Sequence, residues 1–116
     1  MIFDAWDVVV ARFPFSDVTA AKVRPALVLS SPGFSDDSAH VILAMITTAK
    51  SSTWPSDVTI TDLGLAGLAS PSIVRMKIFT LDLRVVPRKI GMLGLRDRQA
   101  VETALRRSIA PISRLP

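Results

Sequence analysis

Apolar residues fall along this chain mostly at strand spacing and only once at helical spacing. Residues 7–13 hold Val8, Val9 and Val10 at the centre of a first strand, with Arg12 near its end and Pro14 to stop it. A polar loop from Phe15 to Val23 follows. In Arg24-Pro25-Ala26-Leu27-Val28-Leu29-Ser30, Pro25 has no amide hydrogen and restricts Arg24 to extended geometry, so a second strand opens with Arg24 at its entrance. Ala26 to Leu29 are apolar on both faces, the pattern of a strand buried on each side. Ser31-Pro32-Gly33 ends it, and Ser35-Asp36-Asp37-Ser38 reads as a turn-rich surface loop. Further strands are expected at 40–48, 57–60, 72–79 and 84–93, the last broken by Pro87 and so an edge or a bulge. Glycines in the connector 62–68 limit any helix there to about one turn. From Arg96 to Ile109 the period changes: Val101, Leu105 and Ile109 form one stripe with Ala100, Ala104 and Ser108 beside it, an amphipathic helix ended by Pro111.

Strands followed by one terminal helix make a mainly β (α+β) fold, a small coiled β-barrel with the helix packed on it. At 116 residues the chain is long enough for one core and too short for two, so a single domain over 1–116 is expected. A hydrophobic fraction of 49% and a mean hydropathy of +0.41 are high for this size, which favours a homodimer that covers apolar surface. No apolar run approaches the roughly 18 residues of a membrane span. Two acids and no basic residue in the first seven positions argue against a signal peptide, and the lack of cysteine suits a reducing cytoplasm.

The charge distribution narrows the partners further. Residues 1–83 carry six Lys/Arg and eight Asp/Glu, whereas residues 84–116 carry eight and two, so the last third holds an excess of basic charge. That skew favours an anionic partner, nucleic acid or an acidic protein segment, although a solvated basic face is the plainer reading. Arg24 can address a phosphate or carboxylate through two parallel hydrogen bonds. Period 2 puts Ile73, Arg75 and Lys77 on one face of the fifth strand. Two cations side by side there call for a bound anion or for an acid from elsewhere in the fold. Thr47 and Thr48 end the third strand on opposite faces, so one of them shares Arg24's side. Trp54 and Phe15 lie in loops and can stack on unpaired bases, or cap the core; Lys50 adds a cation to the loop of Trp54, and Asp17 an acid to the loop of Phe15. No spacing of His, Asp and Glu resembles a metal site, and no glycine-rich phosphate loop is present.

Two segments together, Asp7-Val8-Val9-Val10-Ala11-Arg12-Phe13-Pro14-Phe15-Ser16-Asp17 and Arg24-Pro25-Ala26-Leu27-Val28-Leu29-Ser30, resemble the opening of MazF/PemK/Kid-type toxins of type II toxin–antitoxin systems. Ile46-Thr47-Thr48, Pro71-Ser72-Ile73-Val74-Arg75 and the terminal helix continue the likeness in order. The resemblance implies an SH3-like, CcdB/MazF-type barrel that dimerises and cuts single-stranded RNA without metal or cofactor. It also implies an antitoxin whose acidic flexible tail lies in the RNA groove. By position Arg24, Thr47 and Arg75 correspond to catalytic residues; from their own chemistry and place in the chain, Lys77, Asp17, Phe15, Lys50 and Trp54 are the RNA-binding candidates. Two departures stand out. Trp6 occupies the place of a glycine, and Lys77 that of an Asp assigned as base in the Kid branch, which leaves Lys77 (as a neutral amine) or Asp17 to accept the proton. A CcdB-like gyrase-binding toxin and a catalytically inactive binder of RNA or antitoxin are the competing readings.

Overall fold

The computed structural model describes residues 2–13, 23–48 and 53–110. Phe15, Asp17 and Lys50 lie outside the described residues. Six strands form one sheet: β1 (Asp7–Arg12), β2 (Val23–Val28), β3 (His40–Thr47), β4 (Val58–Thr59), β5 (Ile73–Asp82) and β6 (Arg88–Met92). Their order is β4-β5-β3-β2-β1-β6, every neighbouring pair is antiparallel, and the sheet curls into a half-barrel. Three short or long helices join it: α1 (Pro32–Ser38), α2 (Leu63–Ala66) and the terminal α3 (Leu95–Ser108).

Double burial of the second strand holds as expected, since Ala26, Leu27 and Val28 are wholly buried. Leu27 packs with Val8, Ala44, Ile46, Val74 and the α3 residues Val101 and Ala104 on one side of the sheet. Ala26 and Val28 pack with Phe3, Val9, Val41, Leu43 and Leu81 on the other. Strand β2 starts two residues before Pro25. Proline is tolerated here because β3 pairs with β2 only over Ala26 to Val28, so Pro25 faces a hydrogen-bonding neighbour on the β1 side alone.

Three expectations need correction. The surface loop expected at 31–38 is helix α1: Ser31 is its N-cap, accepting from the Phe34 amide at 3.4 Å, and Pro32 sits at the first helical position, where proline starts a helix instead of breaking one. Strand β5 runs three residues further than its sequence suggested, and Leu83–Val85 form a single 3-10 turn before β6, so Pro87 separates the turn from an edge strand. The buried stripe of α3 is Asp97, Val101 and Ala104; Ile109 is 53% exposed and Ala100 faces solvent. Trp6, which stands at the place of a glycine in the family resemblance, packs against the core and holds a φ of 76°, the left-handed region that glycine favours. Its main chain is pinned there by bonds to Val28 O at 2.8 Å and from Leu93 N at 2.9 Å, and Arg98 covers its ring at 5.6 Å.

Asp97 had no place in the sequence reading, yet it ties α3 to the connector after β4. It is 2% exposed, and its carboxylate accepts from Thr61 N at 3.0 and 3.1 Å, from Thr61 Oγ1 at 2.7 Å and from Asp62 N at 3.1 Å. Removing it leaves two main-chain donors without their acceptor. Asp97→Ala is therefore expected to lower stability by about 2–4 kcal/mol in urea unfolding, and Asp97→Asn, which keeps one acceptor oxygen, by less.

Candidate functional site

The strand register sorts the candidate side chains by face. Arg24 lies opposite Ala11, and Ala26 opposite Met45, which is in turn opposite Arg75. Because opposite residues project to the same side, Arg24, Thr47 and Arg75 share the sheet face that carries Ala11 and Ala26, and Thr48 takes the other. On β5 the residues opposite Ala44 and Met45 are Ile78 and Arg75, so Met76 and Lys77 bulge out of the ladder. An insertion of two residues preserves the alternation, and Lys77 remains on Arg75's face and exposed to solvent.

A cavity of about 380 Å³ opens where β1, β2 and β3 end. Its polar lining is Arg24, Thr47, Thr48, Ser70 and Ser72, and Val10, Ile46 and Ile90 supply apolar wall. Pro25 and residues 67–69 of the α2 exit complete the lining. Gly67, at a φ of 72°, packs so closely on β6 that a Cβ would lie 2.0 Å from Ile90 O, and a Cβ on Gly91 would lie 2.4 Å from the Ala66 carbonyl carbon. Both glycines are required by that approach. Arg24 is exposed and has no ion-pair partner among the described residues. A permanent cation beside several hydroxyls and an apolar wall suits a phosphodiester with its attached nucleoside. A second, larger cavity of about 600 Å³ between α3 and Leu29, Ile42 and Ile78 is apolar apart from Arg106, and offers no groups for chemistry.

Arg75 does not line the first cavity. Its Nε donates to Asp57 Oδ1 at 3.0 Å and its Nη2 to Asp57 Oδ2 at 2.9 Å, a bidentate pair with both side chains nearly buried. Its guanidinium carbon sits 5.0 Å from the centre of the Trp54 ring. The acid that two neighbouring cations called for is thus Asp57, which removes the argument for a bound anion between Arg75 and Lys77. Nothing local in the sequence marked Asp57. It is found only through the β4–β5 register, since Val58 pairs with Val74 and one further step brings Asp57 opposite Arg75. Part of the basic C-terminal third is likewise engaged: Lys89 pairs with Asp7 at 3.1 Å, and Arg84 holds the Asp82 carboxyl down at about 2. Among the described residues no group of three or more His, Asp or Glu is arranged to hold a metal ion.

Residues 4–109 match the family of the PemK-like, MazF-like toxin of type II toxin-antitoxin system. No curated protein sequence matches the chain. Among solved structures the chain is similar to a MazE-MazF structure from Deinococcus radiodurans (TM-score 0.72, 21% identity, 90% of this chain and 94% of that one). It is also similar to the Mycobacterium tuberculosis toxin MazF-mt6 (0.67, 24%, 85% and 91%). A third match is an endoribonuclease in complex with its cognate antitoxin from a mycobacterial species (0.69, 18%, 90% and 92%). At these identities the likeness is one of fold.

The Arg75 hydrogen bonds, the largest influence on it, lower the Asp57 pKa from its ordinary value. A carboxylate depressed on folding contributes stability that is fully present above about pH 4 and is lost as pH falls through its folded value. Asp57→Asn is expected to flatten the acid limb of a melting-temperature profile below pH 4 and to leave its shape above pH 5 unchanged, read by circular dichroism.

Proposed function

Because the chain belongs to the PemK-like, MazF-like toxins of type II toxin–antitoxin systems, we propose that it is an endoribonuclease that cuts single-stranded RNA by attack of the RNA's own 2′-hydroxyl. The observation that carries this reading is the common cavity of Arg24 and Thr47, an open cation beside a hydroxyl. In the reaction the 2′-oxygen attacks the adjacent phosphorus, its proton passes to a base, and the 5′-oxygen leaves with a proton, so a 2′,3′-cyclic phosphate forms. Charge accumulates on the two non-bridging oxygens. Arg24 stabilises that charge, and the Thr47 hydroxyl donates to one of the same oxygens.

Arg75 is the second cation of the same face. With its fork on Asp57 it acts on the phosphate at longer range than Arg24. Neither guanidinium is a proton shuttle, because both stay protonated. Asp57, held below its ordinary value by Arg75, is a poor acceptor. The proton acceptor in this reading is Asp17 or, as a neutral amine, Lys77. Chemistry of this kind needs no metal and no cofactor. The cognate antitoxin is the proposed protein partner, its acidic tail competing with RNA for the exposed cations; a homodimer and a cytoplasmic location complete the reading. No helix among the described residues is long and apolar enough to cross a membrane.

Purified protein is expected to cleave single-stranded RNA in EDTA, to leave 2′,3′-cyclic phosphate ends, and to leave DNA of the same sequence whole. Arg24→Ala should lower kcat about 10²–10³-fold with an unchanged circular dichroism spectrum, and Arg75→Ala should cost less. RNA that stays intact over long incubation, alongside gyrase-linked DNA damage, would transfer the chain to the gyrase-poison reading.

A further inference from the structure

Resting on the reading of RNA as substrate, we propose that Asp57 is a positioning residue that presets Trp54 and Arg75 as one platform for the unpaired base next to the scissile phosphate. The carboxylate meets both partners at once. Oδ1 accepts from Arg75 Nε, while Oδ2 accepts from Arg75 Nη2 at 2.9 Å and from the Trp54 amide at 2.8 Å. Asp57 N in turn donates to Trp54 O at 2.9 Å, so residues 54–57 form a turn that Asp57 closes through its main chain and its side chain together. The strand and the turn are joined at a single acid.

Exposure divides the labour within this cluster. The Arg75 and Asp57 side chains are 12% and 10% exposed, whereas Trp54 is 41% exposed. The ion pair is the support, and the indole is what solvent meets. One side of the ring rests against the guanidinium, which fixes its tilt. A ring ordered in advance forgoes the entropy cost of being ordered by its ligand. The ligand class follows from the ring: an aromatic surface that stacks on any base and recognises the absence of pairing more than sequence. Arg75 and Thr47 are close on the same face, because Met45 pairs with Arg75 and Thr47 with Ile73, a separation of about 7 Å along the strand. Arg24 shares that face, so the proposal sets the nucleotide beside a phosphate held at Arg24 and Thr47 against Trp54.

A positioning acid and a bystander acid predict opposite signs. A bystander carboxylate repels phosphates, so its removal tightens RNA binding and steepens the salt dependence by about one counterion. A positioning carboxylate weakens binding when it is lost, against that electrostatic gain. The probes are short 2′-O-methyl oligoadenylate, oligouridylate and oligocytidylate, which cannot be cut, so binding is measured whether or not the wild type cleaves unmodified RNA. The expected results are indole emission quenched by all three oligonucleotides in the wild type and not in Trp54→Phe, and affinity lowered about 5- to 100-fold in Trp54→Ala. Asp57→Asn should lower affinity about 3- to 10-fold at fixed salt, with the double variant Asp57→Asn/Trp54→Ala no weaker than Trp54→Ala alone. Equal or tighter binding by Asp57→Asn, additive losses in the double variant, or quenching by polyglutamate but not by the oligonucleotides would overturn the proposal. If Asp57→Asn fails to fold, the wild-type quenching decides: emission unmoved by the oligonucleotides overturns it.

Discussion

Strands β1, β2 and β3 carry apolar side chains on both faces through their middles, and this double burial governs where anything polar can go. Val8 and Val9, or Leu27 and Val28, are neighbours in sequence that belong to different clusters, each closed to water. A charged group at the centre of such a strand meets a desolvation penalty without a partner, so cations and hydroxyls are confined to the ends of the ladder and to its edges. Arg24, Thr47 and Thr48 stand at those ends, and the cavity forms where the ladder stops.

The same confinement explains the contrast between the two guanidiniums. Arg24 stands at the entrance of an interior strand and keeps its charge exposed. Arg75 lies further inside the sheet, next to the bulge in β5, and is satisfied by an acid just ahead of the adjacent edge strand. Satisfaction of this kind fixes geometry at the expense of charge: the pair is nearly neutral as seen from outside, and what it offers a ligand is a rigid surface. One sheet face thereby holds two devices of different character, an open cation and a closed ion pair topped by an aromatic ring.

The elements were legible wherever the pattern of apolar residues was itself the cause of the structure. All six strands and the long helix could be read from spacing, and Arg24 and Thr47 from their places at strand ends. Cooperation between distant residues could not be read in this way. Asp97 looks like an ordinary first-turn acid until Thr61 and Asp62, thirty-five and more positions away, are brought to it. Asp57 reads as a strand-opening residue until the β4–β5 register turns it toward Arg75. Helix α1 was missed for a different reason: proline ends strands and begins helices, and the sequence around Pro32 does not say which without the Ser31 cap. The family resemblance supplied what spacing could not, the grouping of Arg24, Thr47 and Arg75. The sheet puts the three on one face but brings only two of them to the cavity.

The close approach of the α2 exit to β6 has a bearing on how such a protein could change its target. Gly67, one of the residues that line the cavity, lies against the β6 backbone and adds no side chain to the wall. That position cannot be filled or recharged by substitution, because an added carbon collides with a peptide group. Any change in the shape or charge of the cavity must then be written elsewhere in its lining, at Leu68, Ser70 and the ends of β2 and β3, around one point that stays fixed.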